Sequence, residues 1–300
     1  MEGASMATIF LKPNLVIEYS GDEKIPSDGK WSSESIDKIN QSFQNAEKAL
    51  YSGEFDIVIL NGINQILREN IVPFDHILEL MEKKPDNVEL VLTGPGASEE
   101  MIERADLVTE MVIHTPKETL EKDRNDEGVA PIEIITGNGK GKTTYCMGKA
   151  MLMSCMGIRS TILQFIKSPK AYGEVKAMEK LPYLGIRSMG EGFLDIQSAA
   201  SDKKHTEAAR KAWEDCLREI FSLKYGLIVL DEINIATYYG LIHAERVREM
   251  LFLKPRKLHL ILSGRNAHLE VREGASSVIE MREIKHPFRK GIKARKGIEF

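Results

Sequence analysis

The sequence predicts an α/β protein with a mainly parallel sheet, on three observations. Apolar β-type runs alternate with amphipathic helical stretches from Pro131 onward, a glycine-rich turn joins one run to a helix at Gly137–Thr144, and another run ends in the carboxylate pair Asp231-Glu232. Strands that are apolar on both faces and separated by helices belong to a sheet covered on both sides, which is how parallel sheets are built.

In chain order, Ser32–Tyr51 carries the apolar spacing of a helix, "FDIVILNGIN" (Phe55–Asn64) a strand with the start of the next element, and Leu90 and Leu92 a second strand. Pro116–Gly128 is rich in Lys, Asp and Glu with almost no large apolar residues and reads as a solvated linker, placed at about 116–130. After it come "IEIIT", the helical "TYCMGKAMLMSCMG", "TILQFIK", "EVKAMEKL", a helix near Thr206–Leu223, "GLIVLDE", a helix at Ala244–Phe252, "KLHLILSG" and "SVIEMREI".

The stretch before the linker repeats part of the stretch after it. Phe55–Asn64 overlies Tyr225–Asn234 at an offset of 170, and the same offset carries Lys84-Pro85 onto Lys254-Pro255, Leu90, Leu92 and Gly94 onto Leu260, Leu262 and Gly264, and Glu110-Met111 onto Glu280-Met281. The duplication is partial: nothing before Phe55 corresponds to the glycine-rich turn, Asn61-Gly62 stands where the second copy has Asp231-Glu232, and Pro95 where it has Arg265. The first copy, about 10–115, is therefore expected to be a degenerate α/β half-repeat with a structural or regulatory role, and 131–300 to carry the chemistry.

Composition narrows the classes. With 300 residues, 42% hydrophobic and 29% charged, the chain is long enough for two modest domains with real cores. A net charge of −4 gives no bulk attraction for nucleic acid. No run approaches the roughly 20 apolar residues of a membrane span, and the first residues lack the order of a secretion signal, so a cytoplasmic protein is expected. Cys146, Cys155 and Cys216 form no C-x-x-C, and the seven histidines no H-E-x-x-H, which points to buried thiols in a reducing compartment and to no structural zinc.

The glycine-rich turn has the strand-turn-helix setting of a P-loop. Gly137, Gly139 and Gly141 let backbone N–H groups converge on phosphate oxygens, and the helix N-terminus adds partial positive charge. Lys142 supplies a cation, Thr143 a hydroxyl for Mg²⁺, and Asn138, Lys140 and Thr144 auxiliary contacts. Against G-x-x-x-x-G-K-[ST] the loop departs at Thr136, where glycine is usual. Asp231 and Glu232 end a strand where ligands of open α/β sheets bind; one would orient Mg²⁺ or its water and the other serve as second ligand or hold Thr143. Lys142, Thr143 and Glu232 are the catalytic candidates.

Ile132–Phe300 resembles the P-loop family of ATP:cob(I)alamin (corrinoid) adenosyltransferases, on "TGNGKGKTT" (Thr136–Thr144), "QFIK" (Gln164–Lys167), "GEGF" (Gly190–Phe193), "VLDEIN" (Val229–Asn234), "SGR" (Ser263–Arg265) and "IKHPFRKGIKARKGIEF" (Ile284–Phe300). The resemblance implies ATP and Mg²⁺, a reduced corrinoid such as cobalamin as substrate, attack of Co(I) on the 5′ carbon of ATP with triphosphate as leaving group, and an external reductant of the flavodoxin type. It implies supporting cations at Lys167 and Arg265 and a corrin contact at Phe193; the family's tryptophan two residues beyond is Asp195 in this chain. The fold expected is a RecA-like P-loop domain with a mainly parallel sheet, plus the smaller half-repeat. Because relatives are expected to form homodimers, the half-repeat is expected to stand in for a second subunit as an intramolecular pseudo-dimer, or to cover the corrin mouth, unless the chain is itself a homo-oligomer. A P-loop ATPase switch and a non-catalytic corrinoid or nucleotide carrier remain as alternatives.

Overall fold

The computed structural model describes residues 2–20, 31–114, 128–165, 173–189 and 203–287. The helices are α1 (Glu2–Leu11), α2 (Ser33–Tyr51), α3 (Ile63–Arg68), α4 (Phe74–Lys83), α5 (Glu99–Arg104), α6 (Lys142–Cys155), α7 (Gly173–Met178), α8 (Lys203–Ile220), α9 (Ile233–Tyr238), α10 (Ala244–Leu253) and α11 (Leu269–Glu273). The strands are β1 (Ile57–Leu60), β2 (Glu89–Leu92), β3 (Val108–His114), β4 (Ile132–Thr136), β5 (Ser160–Gln164), β6 (Leu184–Ser188), β7 (Leu227–Asp231), β8 (His259–Ser263) and β9 (Ser277–Lys285). Two compact units divide the chain: one takes in Met1–Val16 and Thr109–His286, the other chiefly Ile17–Val108.

The first unit holds a seven-stranded sheet in the order β3-β9-β4-β8-β7-β5-β6. The pairs β4·β8, β4·β9, β5·β6, β5·β7 and β7·β8 are all parallel, so the carboxyl ends of β4 to β9 share one edge. Every residue of β4, β5, β7 and β8 is buried, which is why these strands carry apolar residues on both faces instead of alternating apolar with solvent-facing polar positions. Successive side chains feed opposite cores. Ile134, Leu163, Ile228, Leu230, Leu260 and Leu262 meet the α8 face of Ala212, Trp213, Cys216 and Ile220, whereas Ile135, Ile162, Val229 and Ile261 meet Cys146, Met147 and Ala150 of α6. This is the RecA-like P-loop α/β fold.

The second unit pairs β1 with β2 in parallel and lays Val58, Leu60, Leu90 and Leu92 against α2 and α4 through Phe43, Leu50, Ile77 and Leu80. The repeat is visible residue by residue. Shifted by 170, α3 and α4 fall on α9 and α10 with identical bounds, and β1, β2 and β3 fall on β7, β8 and β9. Left-handed backbone recurs at paired positions: Gly53 and Leu223, Gly62 and Glu232, Asn70 and Gly240, Gly94 and Gly264, Gly96 and Asn266. Asn64 Nδ2 donates to Gly94 O as Asn234 Nδ2 does to Gly264 O. One difference follows from what the first copy lacks. Ile57 and Ile59 are 42% and 60% exposed, while their counterparts Leu227 and Val229 are 0% exposed beneath α6, to which no helix among the described residues of the first copy corresponds.

Candidate active site

β4 runs into the glycine-rich turn and α6 leaves it. Gly137 and Gly141 have positive φ of 94° and 103°, so a side chain at either would be strained, and this conformation lets the chain reverse within five residues. Gly139 has a different reason: its N–H donates to Met281 O at 2.7 Å, and a Cβ there would lie 2.9 Å from that oxygen and from the Arg282 backbone. Thr136, in the place of the usual glycine, is buried, and its Oγ1 accepts from Ala267 N at 3.2 Å, tying the turn to the loop after β8.

Lys142 is buried at the first turn of α6, and its Nζ donates to Gly139 O at 2.7 Å. Burial, followed by the Arg265 guanidinium, holds the Lys142 ammonium below the ordinary lysine value, with Glu232 and Asp231 acting the other way. Asp231, at the end of β7, is wholly buried and accepts from Ser263 Oγ at 2.6 Å, Gln164 Nε2 at 3.1 Å and Thr143 Oγ1 at 3.3 Å. A buried carboxylate needs such donors. Glu232 follows in left-handed conformation, φ 64°, and its Oε2 lies where a Cβ on Gly264 would come within 3.0 Å. Its N–H donates to Ser263 Oγ at 3.2 Å.

Lys142, Thr143, Asp231, Glu232 and, through its charge on Lys142, Arg265 thus come together at the carboxyl edge of the sheet. Asn138 and Thr144 are exposed, Arg265 is exposed, and Lys140 is half-buried. Phe193, Asp195 and Lys167 lie outside the described residues. Two polar members carried no role in the sequence reading: Gln164 and Ser263. Both end a strand, β5 and β8, in register beside Asp231, and a polar residue closing an otherwise apolar run was the available signal.

The oxygen donors suit a hard cation such as Mg²⁺: the Thr143 hydroxyl and the Asp231 carboxylate are adjacent, with Glu232 next in chain. Three donors already occupy Asp231, which fits it to orienting Thr143 and a cation's water. Among the described residues no cluster of three or more His, Cys, Asp or Glu side chains is placed to hold a metal by itself, so nucleotide oxygens would complete such a site.

Fold and site together define a RecA-like P-loop protein. The description ATP:corrinoid adenosyltransferase BtuR/CobO/CobP matches the chain twice, over residues 4–130 and 129–300, and the chain belongs to that family. Its two-part repeat is therefore two copies of one family pattern. A corrinoid adenosyltransferase of Sinorhizobium sp. is 41% identical over 56% of this chain and 79% of its own length. One of Pseudomonas aeruginosa is 34% identical over 61% of this chain and 89% of its own. An uncharacterized protein of Nostoc sp. is 30% identical over 85% of this chain and 69% of its own.

Proposed function

We infer that this protein transfers the adenosyl group of ATP to the cobalt of a corrinoid, a step of cobalamin biosynthesis, and that the glycine-rich turn is its triphosphate site. The observation that carries this reading is the convergence of Lys142 and Thr143 from the turn with Asp231 from β7, around a loop in which a Cβ on Gly137 or Gly139 would collide with the backbone of Met281 or Arg282.

The N–H groups of Gly137–Gly141 and the N-terminus of α6 face the phosphates, with Asn138, Lys140 and Thr144 at the rim. Lys142 exchanges its bond to Gly139 O for a phosphate oxygen, and Arg265 adds a second cation. Thr143 and Glu232 would hold Mg²⁺, with Asp231 orienting Thr143 and the cation's water, and the ion would neutralise phosphate charge. The substrate's Co(I) lone pair forms the bond to the 5′ carbon while the C5′–O bond breaks and its electrons leave on triphosphate. Lys142 and the loop amides therefore stabilise charge that develops on the leaving group. Phe193 contacts the corrin, and a reductant protein of the flavodoxin type supplies Co(I). Three buried thiols support a cytoplasmic setting for the reaction. Among the described residues no helix is long and apolar enough to cross a membrane.

Product analysis tests the reading. Incubated with ATP, Mg²⁺ and reduced cobalamin, the protein should release intact triphosphate; release of ADP and phosphate would make it an ATPase instead. Phe193→Ala should weaken corrinoid use and leave ATP binding intact, and Asp195→Trp should raise activity.

A further inference from the structure

β9 is the strand against which the glycine-rich turn rests. Gly139 N–H donates to Met281 O at 2.7 Å, and a Cβ on Gly137 would lie 2.3 Å from the same oxygen. Backbone touches backbone with no side chain between, so a displacement of Met281–Arg282 passes directly to the turn. On its other side β9 is flanked by β3, the last strand of the first copy and the counterpart of β9 itself.

The side chains that link these two strands bracket Met281. His114 Nε2 and Glu280 Oε2 are 2.9 Å apart, Arg282 Nε donates to the same carboxylate oxygen at 3.4 Å, and Arg282 Nη1 is 3.5 Å from Glu110 Oε2. The positions rise on β3 as they fall on β9, as between antiparallel neighbours. The hydrogen bond from His114, ahead of Arg282, holds the Glu280 carboxyl below its ordinary value. Without β3, β9 would be the open edge of the sheet, where strands fray and shift most easily.

We propose that β3, through His114 and Glu110, is a positioning element for the glycine-rich turn, so that the first copy of the repeat tunes nucleotide binding by the second without touching the nucleotide. The inference rests on the reading of the turn as the triphosphate site. It gives the degenerate copy a task that needs neither a P-loop nor a counterpart of the Asp231-Glu232 pair: it keeps its last strand, and that strand closes the catalytic sheet.

The test uses the full chain and measures the Kd of Mg²⁺-ATP by calorimetry, the KM for reduced cobalamin and the melting temperature. His114→Ala and the double variant His114→Ala/Glu110→Ala should bind ATP more weakly by roughly three- to tenfold, with the corrinoid KM unchanged. His114→Gln, which keeps a donor within reach of Glu280, should restore binding. An ATP Kd that stays at the wild-type value, whether or not the melting temperature falls, would overturn the proposal, as would equal losses toward both substrates. A wild-type chain that binds no ATP would overturn the triphosphate reading and this inference with it, which separates the two failures.

Discussion

Ser263 Oγ donates a 2.6 Å hydrogen bond to Asp231 Oδ1, and the first copy repeats the bond with Thr93 Oγ1 donating to Asn61 Oδ1 at 2.7 Å. The backbone completes the match, since Glu232 N–H donates to Ser263 Oγ and Gly62 N–H to Thr93 Oγ1. The first copy has kept the scaffold and replaced the charge by an amide. Asp231→Asn should therefore fold with a melting temperature near the wild-type value. Adenosyl transfer should drop by about 10- to 100-fold, because Thr143 and the cation lose their anion. Thermal unfolding beside initial rates checks both halves of the expectation.

Glu232 shows the opposite exchange. It holds φ 64° where the first copy has Gly62 at 82°. Such backbone costs a residue with a Cβ about 1–3 kcal/mol, part of which glycine returns through the entropy of the unfolded chain. Glu232→Gly should raise stability by roughly 1 kcal/mol while lowering activity. Denaturant titration with a rate assay would show the trade; a variant both less stable and fully active would contradict it.

Lys142→Ala should lower kcat/KM by roughly 2–4 kcal/mol of transition-state stabilisation, the scale of one charge-assisted contact in a partly dry site. Steady-state kinetics over a range of ATP concentrations measures it.

Much of the fold and of the site is written in the residues themselves. The α/β class followed from apolar β-type runs alternating with amphipathic helical stretches, and the candidate catalytic edge from a glycine turn and an Asp-Glu pair at strand ends. The repeat was readable from Phe55 to Met111, with the helical pattern of Ser32–Tyr51 opposite that of Thr206–Leu223; its extension on to His114 needed strand bounds. Gln164 and Ser263 had no assigned role because a hydrogen bond to Asp231 depends on which strands are neighbours, and strand order is not a local property of sequence. The placement of β3 beside β9 was hidden for the same reason.

Glu133 supplies a prediction in pH. It is buried on β4 and accepts from His259 Nε2 at 2.7 Å, Tyr145 Oη at 3.1 Å and Lys149 Nζ. Burial alone would raise its carboxyl, but the hydrogen bonds and charges of His259 and Lys149 outweigh it and hold the group down to about 2, against 4.5 ordinarily. Its contribution to stability is then complete above pH 4.5 and is lost as the pH falls from 4.5 through 2. Glu133→Gln should cost roughly 3 kcal/mol at pH 7 and show a shallower loss across that acid window. Urea unfolding at neutral and acid pH compares the two slopes.

Whether the turn at Gly137–Thr144 serves adenosyl transfer to cobalt is decided by anaerobic incubation of the full chain with ATP, Mg²⁺ and chemically reduced cobalamin while the absorbance is followed. The expected outcome is the spectrum of a cobalt–carbon product, formed with one triphosphate per cobalt and abolished in Lys142→Ala. A reduced cobalamin spectrum that stays unchanged while ATP is bound or hydrolysed would contradict it.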